Sequence, residues 1–456
     1  MGKGLTEGRS LQRKHCLDMS DQTTVQTSLQ GIANKAASQP DYRFRNLYGL
    51  LNEDLLLDSW SFIRQDAALG VDRVSAQDYE QDLAANVQDL VTRLKEKRYH
   101  AKLVRRCYIP KADGKLRPLG IPATEDKLLQ LGVKRVLEAI YEQDFLRCSY
   151  GYRPQVGALD AVDKLTVKLQ FGAYHYVVEA DIQGFFDNLD HDWLLKMLAE
   201  RIDDQALLHL IAKWLKAGVL DTDGKVLHPT TGSPQGGIIS PVLANIYLHY
   251  ALDLWFHKVI RPQCCGEACL IRYADDFVCA FEYEVEAQRF YNTLGPRLAK
   301  FGLTLAVAKT RTIAFSQGDH LGQNSFDFLG FEFRWGHDRA GKPQVKRRTA
   351  RRKLRSALLN FKIWCKENHH RRLKDLFARL NAKLRGYYQY YGIQGNAASL
   401  QQFYYGAMRH LFRWLNQRSQ RTSYTWPGFQ ALIEQFGIVK PKIIARPKTR
   451  MARSAA

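Results

Sequence analysis

Long apolar runs are absent from this 456-residue sequence. None approaches the roughly 20 residues that a membrane-spanning helix requires, and the opening "MGKGLTEGRSLQRKHCLDMSDQ" lacks the apolar centre of a secretory signal. A cytoplasmic protein with no membrane partner is therefore expected. Cysteine is scarce as well. The eight present are spread too thinly for a disulfide framework, and the one knot, Cys264, Cys265 and Cys269, has neither a CxxC spacing nor a second pair nearby. They read as structural thiols rather than zinc ligands. Acid is the third shortage: 46 Asp plus Glu face 67 Lys plus Arg, a formal charge of +21. Because the excess gathers toward the C-terminus instead of being mixed evenly, it points to a polyanionic partner, nucleic acid first, rather than to a merely solubilising surface.

What is present is the patterning of a folded protein, with 45% hydrophobic residues and enough length for more than one core. Residues 1–40 are polar and read as a loosely ordered arm, with some helix within Thr24 to Ala37. Over 41–100 apolar residues recur at helical spacing, with Leu83, Val87, Leu90, Val91 and Leu94 on one face. "KLVRRCYIPKADGKLRPLGIP" then alternates large and basic residues around Asp113-Gly114, a hairpin with Lys111, Lys115 and Arg117 at its tip. By pattern alone this is equally a solvated basic hairpin. Further on, the β-rich run Tyr176 to Ile182 gives way to a helix beginning near Asp190, so Asp181 falls at a strand's end. "GSPQGG" precedes a long helix, and its glycines let backbone approach a ligand where a Cβ would collide. Strands and helices in this mixed order over 101–335 imply an α+β core.

Residues 336–349, "GHDRAGKPQVKRRT", have the Gly, Pro and charge content of a linker. Beyond it, 350–440 read as an all-helical basic domain and 441–456 as a basic tail. Leu354, Leu358, Phe361 and Cys365 form one stripe, and Leu373, Leu376, Phe377, Leu380 and Leu384 another. Arg351, Arg352, Arg355, Arg371 and Arg372 lie mostly off both and are candidate nucleic-acid contacts.

In "LIRYADDFVCAF", Leu270 to Phe281, two adjacent carboxylates interrupt a segment otherwise fit for a buried strand. Ionised carboxylates are costly to bury unless something positive meets them, so Asp275 and Asp276 either sit on a solvated turn or hold a cation. An Asp-Asp turn is common, and the dipeptide by itself does not decide. If Asp181 converges on the pair within one sheet, three hard oxygen ligands with no His or thiol among them favour magnesium over zinc. Two such ions, about 3.5 to 4 Å apart, clamp the attacking and leaving oxygens of an in-line phosphoryl displacement.

The motifs in series resemble the reverse transcriptase and maturase proteins encoded by bacterial group II introns, a likeness running from about Gln26 to about Ile444. It is carried in order by "IPKADGKLRPLGIP", "SYGYRP", "ADIQGFFDNLDH", "GSPQGGIISPVLANIYL", "YADD", "LTLAVAKT" and "FDFLGFEF", with "LRGYYQYYG" and "TSYTWPGF" in the maturase, or thumb, region. The resemblance implies a right-hand polymerase: a helical N-terminal extension, α+β fingers and palm, and an all-α thumb. It also implies RNA-templated DNA synthesis from dNTPs, two Mg2+ ions with Mn2+ as a substitute, and binding of intron RNA, an RNA template with DNA primer, and target DNA.

On the same ground Asp181, Asp275 and Asp276 are the metal ligands, and Lys309 a proton donor to pyrophosphate. Lys111 and Arg117 meet the nucleotide's phosphates, Phe186 is a steric gate against the ribose 2′-hydroxyl, and Gln235 with Gly236 lines the nucleotide pocket. The alternatives are a core role for Phe186, a surface lysine at Lys309 and a loop hydrogen-bonder at Gln235. Tyr387, Tyr388, Tyr390 and Tyr391 are expected among the basic helices that grip an A-form duplex by backbone and shape.

Departures from the family pattern are Arg73 in "ALGVDR", where glycine is frequent, and the loop "SYGYRPQVGALDA", which lacks a frequent arginine. The tail leaves no room for the His and Cys nuclease that some members append, so second-strand cleavage is not expected. Besides an active intron polymerase, the sequence leaves open a splicing factor with a vestigial polymerase and a domesticated enzyme of host repair or phage defence.

Overall fold

The computed structural model describes residues 19–110, 116–232, 236–317, 324–418 and 423–444. Two compact units are interleaved in the chain: Met1–Leu146, Gly184–Ala251 and Phe301–Leu303 form the first, and Arg147–Gln183, Leu252–Lys300 and Thr304–Ala456 the second.

In chain order, α1 (Met19–Ser38), α2 (Glu53–Trp60), α3 (Ala76–Gln81) and α4 (Leu83–Lys95) precede the hairpin β1 (Val104–Pro110) and β2 (Leu116–Ile121) and then α5 (Thr124–Asp144). Next come α6 (Ala158–Phe171), β3 (Tyr176–Gln183), α7 (His191–Ala199), α8 (Gln205–Leu215), β4 (Val219–Leu220), β5 (Val226–Leu227) and α9 (Ser240–Leu248). The hairpin β6 (Ala268–Tyr273) and β7 (Asp276–Phe281) leads to α10 (Glu284–Ala299), β8 (Thr304–Leu305) and β9 (Arg311–Ala314). After β10 (Ser325–Phe328), β11 (Phe331–His337) and β12 (Pro343–Thr349) come α11 (Arg351–Asn368), α12 (Leu373–Tyr391), α13 (Ala397–Leu415) and α14 (Trp426–Gln435).

The first unit is organised on α5, whose Leu128, Leu129, Val133, Val136, Leu137 and Ile140 are buried. Both α1 and α2 pack along it. The segment expected as a loose arm is thus helical from Met19 to Ser38. Its few apolar residues gave a weak periodicity, but Val25 and Ala36 are buried, and tertiary packing rather than propensity stabilises such a helix. The anticipated hairpin pairs antiparallel, Ile109 opposite Arg117, in a sheet ordered β2-β1-β4-β5.

In the second unit the central sheet runs β6-β7-β3-β8, with β9 also paired to β3. Residues of α6, Ala161, Val162, Leu165 and Leu169, share a core with Val177 of β3 and Ile271, Val278 and Ala280 of the hairpin. Phe326, Phe328, Phe331 and Phe333 of β10 and β11 join the same core. Here the linker expectation for 336–349 is corrected, because most of this stretch is strand: the end of β11 and all of β12, paired from Phe331 opposite Thr349 to His337 opposite Pro343. Its charges are neutralised across strands, as in Arg348 with Glu332, and only Val345 and Thr349 turn fully inward, so the apolar alternation was too sparse to see.

Helices α11 to α14 have a core of their own around Phe361, Leu376, Leu380, Leu384, Leu411 and Leu415, the expected stripes included. Among the described residues no helix is long and apolar enough to cross a membrane.

Candidate active site

Antiparallel register brings the sequence-distant acids together. Asp181, near the end of β3, lies directly opposite Asp276, the first residue of β7. Tyr273 and Asp276 close the β6–β7 hairpin, leaving Ala274 and Asp275 as its two-residue loop. Ala274 has a φ of +55°, a left-handed conformation that costs a non-glycine residue about 1 kcal/mol. Something must hold it there.

That restraint is a buried ion pair. The Arg272 guanidinium, fully buried, donates from Nε to Asp253 Oδ1 at 2.7 Å and from Nη2 to Asp253 Oδ2 at 2.6 Å. The same group donates to Ser149 Oγ at 2.8 Å and to the Ala274 carbonyl at 3.1 Å, which ties the turn to the pair. Asp253 closes a π-helical turn, His249–Asp253, that continues α9. Ser149 belongs to "SYGYRP", which runs beside β6: the Tyr150 N–H donates to the Arg272 carbonyl at 2.9 Å, and that of Arg272 to Cys148 at 2.7 Å. At Gly151 any Cβ would stand 2.3 Å from the Ala274 nitrogen, so glycine is required by the close approach to the turn.

Electrostatics at the pair are unfavourable for three bare carboxylates. Burial, then the charges of Asp181, Asp275 and Glu179, push the Asp276 carboxyl up to about 7, while the Leu329 backbone N–H holds it down. Glu179, two residues before Asp181 on β3, is itself raised by burial and faces Arg311 at 3.0 Å. Lys309, on a 3-10 turn that follows β8, places its ammonium on Asp181 Oδ2 while the rest of its side chain is exposed.

The donor set, carboxylate oxygen throughout with a net negative charge, fits a hard divalent cation. Among the described residues no group of three or more His, Cys, Asp or Glu is gathered to hold a metal ion. Asp181 and Asp276 face each other across the β3–β7 register with Asp275 in the adjoining loop, an open group of oxygen donors rather than a closed cage.

A pH prediction follows from the Asp276 environment. Its native pKa lies above the unfolded value of about 3.9, so the folded state keeps its proton longer and metal-free protein loses stability as pH rises from about 4 through about 7. Asp276→Asn removes this penalty. In chelator, the variant is expected to be more stable than the parent at pH 8 by on the order of 2–4 kcal/mol, with the gain largely gone at pH 4. Urea titrations at the two pH values measure it, and an equal difference at both contradicts the assigned environment.

The remaining candidates are distributed as follows. Arg117 is exposed on β2 of the first unit, and Gly236, with φ +111°, stands where a Cβ would meet the Gly120 carbonyl at 2.6 Å, so the Gly236 backbone lies against the same strand. Phe186 follows Gly184, φ +56°, on a 3-10 turn: Phe185 is the ring buried in the core, and Phe186 lies half-buried against it. Lys111 and Gln235 lie outside the described residues, as does Lys115.

Of the helical arginines, Arg351, Arg352, Arg355 and Arg372 are exposed, whereas Arg371 is half-buried and donates to Asn368 Oδ1 at 2.7 Å. The tyrosines expected to face a duplex point inward instead. Tyr388 is buried, Tyr387 stacks on Phe403 at 3.6 Å, and Tyr390 and Tyr391 pack on Phe331. Sequence reasoning also missed Arg272, Asp253 and Ser149. A signal existed: Arg272 and Asp253 each place one charge inside an apolar run, which is where paired buried charges are found.

Residues 109–333 match the family model described as reverse transcriptase (RNA-dependent DNA polymerase). That stretch carries a reverse transcriptase domain, an enzyme class that uses divalent metal ions, and the right-hand polymerase class read from the motifs stands. Among relatives, the group II intron-encoded protein LtrA of Lactococcus lactis subsp. cremoris is 38% identical over 224 residues, covering 48% of this chain and 37% of that one. Protein YkfC of Escherichia coli (strain K12) is 36% identical over 236 residues, covering 50% and 61%. Nuclear intron maturase 4, mitochondrial, of Arabidopsis thaliana is 26% identical over 153 residues, covering 33% and 18%. The matched stretch thus spans between a fifth and three fifths of these curated relatives. The resemblance to group II intron reverse transcriptases is borne out.

Proposed function

We propose that this chain is an RNA-directed DNA polymerase of a group II intron, which also binds its intron RNA as a maturase in splicing and retrohoming. The observation that carries the reading is the register of β3 against β7, which sets Asp181 opposite Asp276 beside a hairpin loop held by Arg272, within a reverse transcriptase domain. Two Mg2+ ions, or Mn2+ in their place, held by Asp181, Asp275 and Asp276, would supply Lewis-acid activation of a primer hydroxyl and charge neutralisation at the departing pyrophosphate.

The chain's own groups do the rest. Lys309 discharges Asp181 before substrate arrives and is the proton donor to the leaving group once displaced from it. Lys111, as a point charge, and Arg117, as a fork, meet the triphosphate of the dNTP, with Gln235 and Gly236 lining the pocket. Arg351, Arg352, Arg355 and Arg372, beside the exposed Leu359 and Ile363 of α11, offer charge and apolar surface to the backbone of an RNA template and DNA primer duplex. Intron RNA and target DNA are the further partners.

Primer extension on an RNA template with dNTPs and magnesium tests the reading, with templated DNA expected; no product from folded protein would contradict it. Phe186, five residues after Asp181, is the gate that excludes the ribose 2′-hydroxyl. Phe186→Ala or Phe186→Val is expected to improve ribonucleotide incorporation relative to dNTP by roughly 10–100-fold, the scale of steric discrimination in a pocket. Unchanged selectivity removes Phe186 from this role.

A further inference from the structure

We propose that His191, the first residue of α7, is a positioning residue for Phe186. By clamping Gly232 against the backbone of the Phe185–Asp187 turn it fixes how far the Phe186 ring reaches, and with it the discrimination between deoxyribonucleotides and ribonucleotides. The proposal rests on the reading of Phe186 as the gate against the 2′-hydroxyl and deepens it by assigning what holds the gate.

A ring excludes one hydroxyl only if it does not yield, and a side chain is no better fixed than the backbone that carries it. Phe186 stands in the middle of a single 3-10 turn, Phe185–Asp187, entered through Gly184 at φ +56°. The turn is closed from within by the Asp187 N–H, which donates to the Gly184 carbonyl at 2.9 Å, and by Asn188 Nδ2, which donates to the same carbonyl at 3.1 Å. Hydrogen-bond geometry in so short a 3-10 piece is poor, so a brace from outside decides its rigidity.

That brace is Gly232. Its backbone approaches the turn so closely that a Cβ would stand 2.8 Å from the Asp187 carbonyl oxygen and 3.0 Å from that of Phe186. Its φ of +90° is likewise one that glycine takes freely. Both of its backbone polar groups are tied to the segment after the turn: the N–H donates to the Leu189 carbonyl at 2.7 Å, and the carbonyl lies 2.7 Å from His191 Nε2. A carbonyl only accepts, so Nε2 carries the proton of that bond. His191 and Leu189 are both buried. The exposed Thr231 adds a hydroxyl that donates to the Asp187 carbonyl at 3.2 Å. Support therefore runs from the capped start of α7, where Asp190 accepts from the Trp193 N–H, through the imidazole to Gly232 and on to the peptide that carries the gate.

Single-turnover incorporation of matched dNTP and rNTP by the full-length protein gives a ratio of efficiencies for each variant. His191→Phe keeps a ring and removes the donor, and is expected to move the ratio toward rNTP by roughly fivefold to tenfold, part of the shift expected of Phe186→Ala. His191→Gln, which returns an N–H donor, is expected to restore most of the discrimination, and Thr231→Val to produce a smaller shift in the same direction. A lesion that only loosens the fold slows both nucleotides together and leaves the ratio in place. In a Phe186→Ala background His191→Phe is expected to add nothing, because no ring is left to position. An unchanged ratio in His191→Phe, no recovery in His191→Gln, or an equal further shift in the Phe186→Ala background overturns the proposal. Where His191→Phe lacks a cooperative thermal transition, Thr231→Val carries the test, and an unchanged ratio in it overturns the proposal. An unchanged ratio in Phe186→Ala overturns instead the reading beneath it.

Discussion

Asp275→Asn is expected to lower primer extension by roughly a thousandfold or more while leaving affinity for template and primer within about twofold. The magnitude follows from the several kcal/mol of charge stabilisation that a bound cation contributes, each 1.36 kcal/mol being tenfold in rate. Asparagine keeps the size of the side chain and one acceptor oxygen but loses the charge that attracts the ion. Asp275 occupies the two-residue loop outside the β6–β7 ladder, so its replacement leaves the pairing register of the two strands in place. Asp181→Asn is expected to match it, with one difference: the Lys309 ammonium loses its partner. Templated synthesis retained by Asp275→Asn in a single-turnover assay contradicts the role assigned to these acids.

The second large effect is on the fold. Arg272→Ala is expected to destabilise the second unit by about 3–5 kcal/mol, because it leaves the fully buried Asp253 without its partner and strands the Ser149 hydroxyl and Ala274 carbonyl. Replacing both members, Arg272→Met with Asp253→Leu, is expected to recover much of that loss, since apolar residues of similar volume satisfy a buried site without a desolvation cost. Activity is expected to stay low in the double variant, because nothing then restrains Ala274 in its left-handed conformation. Urea denaturation with single-turnover extension separates the two effects. A double variant that regains full activity would show that Arg272 serves packing alone.

Much of this arrangement was legible in the sequence because it depends on local signals. Two apolar runs broken by a carboxylate pair marked the YADD turn, Asp190 marked the start of α7 by accepting the Trp193 N–H at 2.8 Å, and helical stripes identified α11 and α12. What escaped depends on contacts far apart in sequence. A lone charge inside each apolar run marks Arg272 and Asp253 as members of buried pairs, but nothing local says that they face one another across 19 positions. Charge was the misleading cue in β12, where Arg347 and Arg348 are tied to Asp163 and Glu332 rather than free in a linker. In "LRGYYQYYG" the tyrosines were expected among helices that grip a duplex by backbone and shape, but a hydroxyl lets such a ring sit inside and satisfy a backbone carbonyl, as Tyr390 does at Leu329.

The central claim is that Asp181, Asp275 and Asp276 share divalent cations during catalysis. Crystals of the protein with template, primer and an unreactive nucleotide, grown in Mn2+ and measured at its absorption edge, test it most directly. Two anomalous peaks are expected, each within ligation distance of carboxylate oxygens from β3 and the β6–β7 hairpin, with Lys309 displaced from Asp181. Peaks remote from these carboxylates, or an Asp181 still held by Lys309 with no ion beside it, would contradict the claim.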